Sequence, residues 1–352
     1  MSSEDKEQQS PPSQNEEEQK PYGLAGIRNF GNTCYANTVI QALRVIPEWS
    51  NIINNAPMPE APTEACQKVF AAYKDIAMTM WCKETVMGSV CRPELFWETV
   101  HDAVRDTVYE QFAINIPHDA HEFLNYITDQ CHETLKQAVP DSHPDRALYK
   151  SLNYFTSPII DTMFGWEKIE CICTSCSHTS ISFDAFNVLK VGLNKLETKT
   201  INELLEEERK DETIEDYTCD NCKKKTMMNM RRSIWRLPET ICVMFKRFNY
   251  DMTSGRMSKD NSPFNYDGTA IGFSEHFSHE SQHESKSYTY KPIALIDHFG
   301  HMAGGHYVAQ IYHPLMHKWF LFDDERGTPL DGPKFGPSNY IMVLRRQGES
   351  HE

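Results

Sequence analysis

The chain has 352 residues, enough for one large domain or two ordinary ones, and a formal net charge of −15. This acidity argues against nucleic acid as the main partner, because a phosphate-binding surface needs clustered lysine and arginine; it suits a basic partner or a basic peptide tail. Eleven cysteines, an odd number, with no segment resembling a signal peptide and no apolar run of membrane-spanning length, predict a reducing cytoplasmic or nuclear location and no membrane.

The N-terminal segment 1–20 is polar. Beyond Met1 it has no large apolar side chain and is rich in Ser, Gln, Glu and Pro. Burial cannot offset the entropy of ordering such a segment. We therefore predict a disordered acidic tail at 1–20 and a folded region that begins at Tyr22.

A cysteine-bearing segment opens the folded region. The residues Asn29-Phe-Gly-Asn-Thr-Cys34-Tyr-Ala-Asn-Thr lead into apolar residues at helical spacing, Val39, Leu43 and Ile46. Cys34 is therefore predicted to lie in the first turn of a helix, where aligned N–H groups stabilise a thiolate. A buried structural cysteine is the alternative, since free cysteine is among the most buried residue types. Residues elsewhere in the chain must decide between the two.

The first third of the folded chain, about 22–150, is predicted to be mainly helical. Apolar stripes at helical spacing cover 65–80, 93–108 and 119–135, and proline-rich loops cover 57–62 and 140–144.

Beyond residue 150, β-branched and aromatic residues predict strands of one or two antiparallel sheets. A short acidic helix is predicted at 201–208, and the polar segment 251–286 is predicted to be a long loop or a partly ordered insertion. The predicted strands are 163–171, 181–193, 233–237, 241–248, 288–299, 306–312, 319–322 and 340–344.

Two C-x-x-C pairs indicate a metal site. Cys173 with Cys176 and Cys219 with Cys222 each offer two thiolates, and two such pairs form a four-sulfur zinc site. A site with no open position is structural. The pairs are 42 residues apart, so the metal would tie two distant hairpin tips together. Cys171 makes the first pair C-x-C-x-x-C and leaves the choice of ligand open there.

Two other interpretations of these cysteines remain. They could be ordinary free thiols, or part of a nucleic-acid-binding ribbon, which Lys223, Lys224 and Lys225 would suit. The acidic residues in 203–216 directly upstream would repel phosphate and argue against the ribbon.

A histidine and an acid follow near the C-terminus. Gly304 and Gly305 precede His306, and glycine pairs allow the close backbone approach that a bound substrate chain would need. Seventeen residues later an aromatic strand ends at Asp323, which two adjacent antiparallel strands could place beside His306. With Cys34, these residues provide a nucleophile, a base and a group that orients the base. His118 and His121, at i, i+3 spacing, have no further clear ligand nearby.

Together these segments resemble the ubiquitin-specific proteases, which are papain-like cysteine deubiquitinases. The resemblance covers nearly everything from Tyr22 to about Arg346, and its motifs stand in the family's order. They are the cysteine box 31–37, Asp-Ala-His-Glu-Phe at 119–123, Leu-Pro followed by Phe-Lys-Arg-Phe at 237–248, Gly-Gly-His-Tyr at 304–307, Phe-Asp-Asp at 322–324, and the two C-x-x-C pairs.

The resemblance implies roles for individual residues. Cys34 would be the nucleophile, His306 the general base and acid, and Asp323 the group that orients His306. Asn29 falls where the family has its oxyanion-hole amide. Asp324 could take the place of Asp323 or support a water. The implied groove for the substrate tail comprises Asp119, His121, Glu122, Gly304, Gly305 and Tyr307.

The resemblance also implies an α+β, papain-like fold in one compact catalytic domain, 22–347. A helical thumb would cover about 22–150 and zinc-bearing antiparallel fingers about 160–250, with a β-rich palm completed by 285–346. One structural zinc ion and no organic cofactor are expected.

The implied activity is hydrolysis of the isopeptide or peptide bond after the C-terminal Gly-Gly of ubiquitin. Expected partners are ubiquitin, ubiquitinated proteins and an activating protein, without nucleic acid or membrane. Pro117 and His118 replace two glutamines that are usual in the family, and Ser262-Pro263-Phe264 departs from its pattern. A protease for a ubiquitin-like modifier, or a ubiquitin-binding scaffold with little activity, are therefore the alternatives.

Overall fold

A computed structural model of the chain describes residues 22–58, 61–252, 255–281, 288–301 and 304–348. The tail predicted at 1–20 lies outside these residues. In the described part of the chain, no helix is both long and apolar enough to cross a membrane.

The helices of the described chain are concentrated before residue 136. They are α1 (Cys34–Arg44), α2 (Pro47–Asn55), α3 (Ala65–Met80), α4 (Glu94–Ala103), α5 (Ala120–Leu135), α6 (Pro158–Met163) and α7 (Ile201–Glu208). Asp119 caps α5, because its Oδ1 accepts the backbone N–H groups of His121 at 2.6 Å and Glu122 at 3.3 Å. Thr200 and Glu203 form a reciprocal capping box at the start of α7.

The largest sheet has the strand order β17-β16-β15-β14-β18-β10-β7, with β13 beside β14. Its pairs are antiparallel except β7 with β10, which is parallel. The strands are β7 (Val188–Val191), β10 (Thr240–Phe245), β13 (Ile271–Gly272), β14 (Thr289–His301), β15 (Gly304–His313), β16 (Lys318–Asp323), β17 (Arg326–Leu330) and β18 (Asn339–Arg346).

A second sheet of four antiparallel strands has the order β6-β5-β9-β8. These strands are β5 (Gly165–Cys173), β6 (Thr179–Phe186), β8 (Glu212–Thr218) and β9 (Lys225–Arg236). Three short pairs complete the strands: β1 (Gly26–Ile27) with β2 (Val90–Cys91), β3 (Gln137–Ala138) with β4 (Phe155–Thr156), and β11 (Phe248–Asp251) with β12 (Arg256–Lys259).

The central strands β10 and β18 of the largest sheet are buried on both faces, so their sequences are nearly continuous apolar runs, whereas the edge strand β17 is largely exposed. On β18, Ile341 and Val343 pack into the core shared with the helices, whereas Met342 and Leu344 pack into the core shared with α7. Helix α1 is buried along all eleven of its residues and packs against β14, β15 and α5. A helix enclosed in this way holds its first residue, Cys34, in a fixed position.

Two predictions made from the pattern are wrong in detail. The helix predicted over 93–108 ends at Ala103, because the chain turns at Asp106 with φ 57° and leaves Val108 86% exposed. The described part of the polar segment 251–286 contains the short strands β12 and β13, which agrees with a partly ordered insertion; residues 253–254 and 282–287 lie outside the described residues. The strand predicted at 233–237 is the end of a longer strand, β9, and its partner β8 was not predicted.

Candidate active site

The loop before Cys34 is held in a specific conformation. Gly31 and Asn32 have φ values of 82° and 61°, in the left-handed region. Asn115 fixes the loop from the side: its Nδ2 donates to the carbonyl of Phe30 at 2.8 Å, and its carbonyl accepts from Asn32 at 3.2 Å. Cys34 itself is 6% exposed and begins α1. The thiol therefore lies at the N-terminus of a buried helix, as its sequence position predicts.

His306 joins Cys34 to Asp323. The antiparallel pairing of β15 with β16 places His306 Nε2 2.6 Å from Asp323 Oδ1. A hydrogen bond to the Cys34 thiol, assisted by the bond to Asp323 and opposed by burial, raises the pKa of His306 from 6.5 to about 9. The histidine is therefore a cation at neutral pH. Because Nε2 faces Asp323, the ring nitrogen Nδ1 is left for the thiol.

The side-chain amide of Asn29 is oriented at both ends. Its Oδ1 accepts from the backbone N–H and the hydroxyl of Thr33 at 3.1 and 3.2 Å, and its Nδ2 donates to Asp324 Oδ2 at 2.8 Å. The other oxygen of Asp324 accepts from Asn37 Nδ2 at 2.7 Å. Asp324 therefore holds two amides on the thiol side of the site, while the neighbouring Asp323 bonds to the histidine. One N–H of Asn29 remains for a ligand.

A cavity of about 220 Å³ leads to Cys34. Gly305 forms part of its wall, and a Cβ built on this glycine would lie 2.2 Å from His298 Nε2 and 2.5 Å from the Phe299 carbonyl. Gly305 therefore packs against His298 and the neighbouring strand as closely as a residue without a side chain permits. Its lining comprises Cys34, Tyr35, Pro117, His118, Asp119, Glu122, Phe248, His298, Gly305 and Tyr307.

Four of the six residues predicted for the groove line this cavity, and His121 and Gly304 do not. His121 Nε2 lies 3.3 Å from Asn125 Nδ2, within α5, and burial lowers the pKa of its ring. Asp119 lines the cavity, but its carboxylate is occupied by the helix cap and by the Tyr340 hydroxyl at 2.7 Å. Burial, with the nearby charge of Asp119, raises the pKa of the Glu122 carboxyl.

Sequence reasoning missed His298 as a groove residue. Its ring is 4% exposed and packs 4.6 Å from the Tyr307 ring and 5.2 Å from the Phe248 ring, measured between centroids. Burial lowers the pKa of His298 to about 4, so the ring is neutral. The sequence could have indicated this position, because the register of the β14–β15 pair puts His298 opposite Tyr307, which was predicted to line the groove.

The four cysteines of the two C-x-x-C pairs meet at the end of the smaller sheet. All four sulfur atoms lie within 4.8 Å of one another. One pair lies in the β5–β6 turn and the other in the β8–β9 turn, and each is followed by a residue with positive φ, Ser177 at 59° and Lys223 at 57°. Cys171 lies outside the group, paired with Ser180 and Met230 in the sheet. The prediction that two hairpin tips meet is confirmed.

The donor set fits a metal ion. Cys173 and Cys219 are buried and Cys176 and Cys222 are half-buried, and the close grouping of four thiols suits sulfur ligation of one ion. The Asn221 side chain donates to Cys176 Sγ at 3.6 Å, a contact that favours the thiolate that a metal requires.

The fold is similar to that of solved deubiquitinase structures. The chain aligns with the SAGA DUB module Ubp8/Sgf11/Sus1/Sgf73 bound to monoubiquitin with a TM-score of 0.70 and 19% identity, over 93% of this chain and 70% of that chain. A yeast SAGA DUBm structure with an Sgf73 mutant gives a TM-score of 0.71 and 18% identity, over 94% and 70% of the two chains. The predicted α+β fold, with helices and multi-stranded sheets, is confirmed.

Similar sequences carry one family name. Ubiquitin carboxyl-terminal hydrolase Usp2 of Drosophila melanogaster is 26% identical over 322 residues, which is 87% of this chain and 33% of that protein. Ubiquitin carboxyl-terminal hydrolase 36 of Drosophila erecta is 27% identical over 90% of this chain and 28% of that protein. Ubiquitin carboxyl-terminal hydrolase 2 of Rattus norvegicus is 25% identical over 92% of this chain and 54% of that protein. The chain thus spans about a third to a half of the length of these curated relatives.

A family model described as ubiquitin carboxyl-terminal hydrolase matches residues 25–344. The chain belongs to this family, and the resemblance to ubiquitin-specific proteases is confirmed.

Proposed function

We propose that the chain is a cysteine-type deubiquitinase that hydrolyses the bond after the C-terminal glycine of ubiquitin. One observation carries the proposal: the His306 ring bonds to Asp323 Oδ1 at 2.6 Å, and the interaction of the ring with the Cys34 thiol is the largest cause of the raised pKa of His306. A nucleophile, a base and an acid that orients the base therefore lie together. The proposal also draws on the family relationship and on the ubiquitin-bound state of the Ubp8 structure.

The first half of the reaction uses the thiolate and the imidazolium. In the free enzyme the Cys34 proton already resides on His306, whose raised pKa keeps the ring cationic at neutral pH, so the two side chains form a thiolate–imidazolium pair. The Cys34 sulfur attacks the glycyl carbonyl carbon, and the carbonyl electron pair moves to oxygen. As the C–N bond breaks, the imidazolium gives its proton to the leaving amine, which leaves a thioester and a neutral His306. In the second half, His306 takes a proton from water, and the hydroxide adds to the thioester carbonyl and expels the Cys34 thiolate. The carboxylic acid product loses its proton to solvent and leaves as a carboxylate.

The oxyanion of each tetrahedral intermediate needs donors that are in place beforehand. The free N–H of Asn29 and the backbone N–H of Cys34 supply them, and the amide of Asn29 cannot rotate while Thr33 and Asp324 hold its two ends. One such donor contributes about 3 kcal/mol, or roughly 10²–10³ in rate.

The groove supports a substrate whose last residues are glycines. Gly305 and His298 pack against each other in the cavity lining beside Cys34, and a side chain on the substrate would compete for a cavity of about 220 Å³. Pro117 and His118, the two departures from the usual family sequence, both line this cavity. A ubiquitin-like modifier with a Gly-Gly end is therefore the second candidate substrate.

The test compares turnover of fluorogenic ubiquitin with turnover of matched ubiquitin-like substrates, for wild type and Cys34→Ala. We expect hydrolysis of ubiquitin by wild type and none by the variant, with an unchanged fold by circular dichroism. Covalent capture of Cys34 by an electrophilic ubiquitin probe should accompany activity. Binding of ubiquitin without capture or turnover would indicate a scaffold and contradict the proposal, and preference for another modifier would change the substrate.

We propose that the four-cysteine group holds one structural zinc ion. Cys173, Cys176, Cys219 and Cys222 would be its ligands, and the ion would cross-link the two hairpin tips. Four sulfur donors with no open position favour zinc and a structural role. A reducing location, the cytoplasm or nucleus, is proposed as well, since none of the eleven cysteines forms a disulfide.

A further inference from the structure

Three side chains on one face of α1 hold the segment that leads to the active site. Asn37, Gln41 and Arg44 are spaced at i, i+4 and i+7, so they lie along one line of the helix. They donate to alternate carbonyls of the extended segment 23–27: Asn37 Nδ2 to Ile27 at 3.3 Å, Gln41 Nε2 to Ala25 at 3.0 Å, and Arg44 Nη1 to Gly23 at 2.7 Å.

The three donor side chains are buried, and two of them bond to each other. The three donors are between 1% and 2% exposed, and Arg44 Nε donates to Gln41 Oε1 at 2.7 Å. Arg44 has no carboxylate partner among its described contacts; the rings of Trp81 and Phe322 lie 5.3 and 5.2 Å from its guanidinium carbon. Placing an unpaired cation and two amides in the core costs free energy. Apolar side chains would pack such a helix face at lower cost, so burial alone does not account for these residues.

The far side of the same segment contacts the turn at Asp324. The N–H of Ile27 donates to the Asp324 carbonyl at 2.8 Å. A Cβ on Gly26 would lie 2.2 Å from the Glu325 carbonyl, so the two backbones are in close contact. Asp324 has a φ of 48°, a left-handed conformation that its surroundings must hold. Two residues after Ile27 the segment reaches Asn29, whose amide bonds to the Asp324 side chain.

We infer that Gln41 and Arg44 are positioning residues for the oxyanion donor. They fix the register of segment 23–27 against the helix that carries Cys34, and the segment then sets the place of Asn29 and of the Asp324 turn. Gln41 is the central member, because it donates to the segment and accepts from Arg44. The inference rests on the proposed hydrolase function, and it assigns to these two residues a role in turnover rather than in substrate binding.

The test variant is Gln41→Glu. The carboxylate still accepts from Arg44 and adds an ion pair, so the fold should be retained, but it has no N–H for the Ala25 carbonyl. We expect kcat for fluorogenic ubiquitin to fall on the order of 10- to 100-fold with little change in KM, because a small misplacement of a donor is costly in the transition state. Alkylation of Cys34 by iodoacetamide forms no oxyanion, so its rate should be unchanged.

Thr38→Val is the matched control. Thr38 is equally buried on α1, but its hydroxyl donates to Tyr35 within the helix at 2.9 Å and not to segment 23–27, so kcat should be unchanged. If Gln41→Glu does not give folded protein, the near-isosteric Gln41→Met removes the same donor and carries the same expectation.

If the wild type hydrolyses ubiquitin substrates and the Gln41 variant is fully active, the positioning role is overturned and the proposed function stands. Equal losses of turnover and alkylation would also overturn it, because they indicate a general disturbance of the helix. A wild type inactive towards ubiquitin substrates would instead contradict the proposed function, and the inference with it.

Discussion

Asn29 and Asp324 are 295 positions apart in the chain, yet the side-chain amide of one donates to the carboxylate of the other at 2.8 Å. The adjacent acid, Asp323, bonds to His306 instead. Two consecutive carboxylates therefore have different partners: one orients the base and the other orients an amide donor. A carboxylate oxygen of each acid lies within 4.8 Å of the other and of a ring nitrogen of His306, so the two acids share one small site and differ in their hydrogen bonds.

Replacing each acid separately should give two distinguishable defects. Asp324→Ala leaves the Nδ2 groups of Asn29 and Asn37 without their acceptor, so we expect kcat to fall on the order of 10²-fold with KM little changed. Asp323→Ala removes one of the interactions that raise the pKa of His306, so that pKa should fall from about 9 towards 6.5. The measurement is the pH profile of kcat/KM for each variant with fluorogenic ubiquitin.

The pH profile of Asp324→Ala should keep the shape of the wild-type profile at a lower kcat/KM. The profile of Asp323→Ala should instead shift along the pH axis, because the pKa of His306 changes. A shift for both variants would show that Asp324 acts on the histidine. Full activity of Asp324→Ala would remove Asn29 from the oxyanion role.

The two adjacent glycines of the Gly-Gly-His-Tyr motif should differ in their tolerance of a methyl group. In Gly305→Ala the new Cβ would meet His298 and the Phe299 carbonyl, so we expect a loss of about 1–3 kcal/mol in the free energy of unfolding and a strong loss of turnover. Gly304→Ala is the matched control, because no atom lies within 4 Å of its Cβ position. Urea denaturation and ubiquitin hydrolysis measure both effects. Equal tolerance of the two substitutions would contradict the close packing of Gly305 against His298.

The residues that carry chemistry were predictable because their motifs are local. Cys34 follows a turn-forming loop and begins an apolar helical pattern, and His306 follows a glycine pair at the start of a strand. The pairing of His306 with Asp323 needed one further assumption, that the strands bearing them are neighbours, and β15 and β16 are. The two C-x-x-C pairs were likewise visible as motifs, although only the structure shows that their hairpin tips meet.

Other features depend on contacts that no local pattern encodes. Asp324 meets Asn29 only through the turn after β16, and Gln41 looks like an ordinary polar position in an amphipathic helix. Strand β8 escaped prediction because its sequence, ETIEDYT, forms the edge of a sheet that is largely exposed and shows little apolar alternation. Helix α4 was predicted too long because Val108 continues the apolar spacing after the chain has already turned at Asp106.

The cysteine group should bind about one zinc ion per chain through four ligands. Cys176→Ser removes one of the four sulfur atoms, so we expect loss of zinc by elemental analysis and a lower melting temperature, because bound metal stabilises the folded state. Cys171→Ser is the matched control: Cys171 lies on the adjoining strand but outside the group, and this variant should retain its zinc. Metal-free wild type of full stability would show that the group consists only of packed thiols.

The free energy of unfolding should fall as the pH falls from 6.5 towards 4, and His313 should account for part of the change. Burial, with the positive charge of Arg44, lowers the pKa of His313 to about 4 in the folded chain, against 6.5 for the ordinary side chain. Between those values the unfolded state binds more protons, so acid favours unfolding. His313→Gln removes this titration and can keep a donor to the Tyr22 carbonyl, which lies 3.0 Å from His313 Nε2. Urea unfolding of the variant should therefore depend less on pH than that of wild type. An identical pH dependence in wild type and His313→Gln would show that His313 titrates alike in the folded and unfolded states.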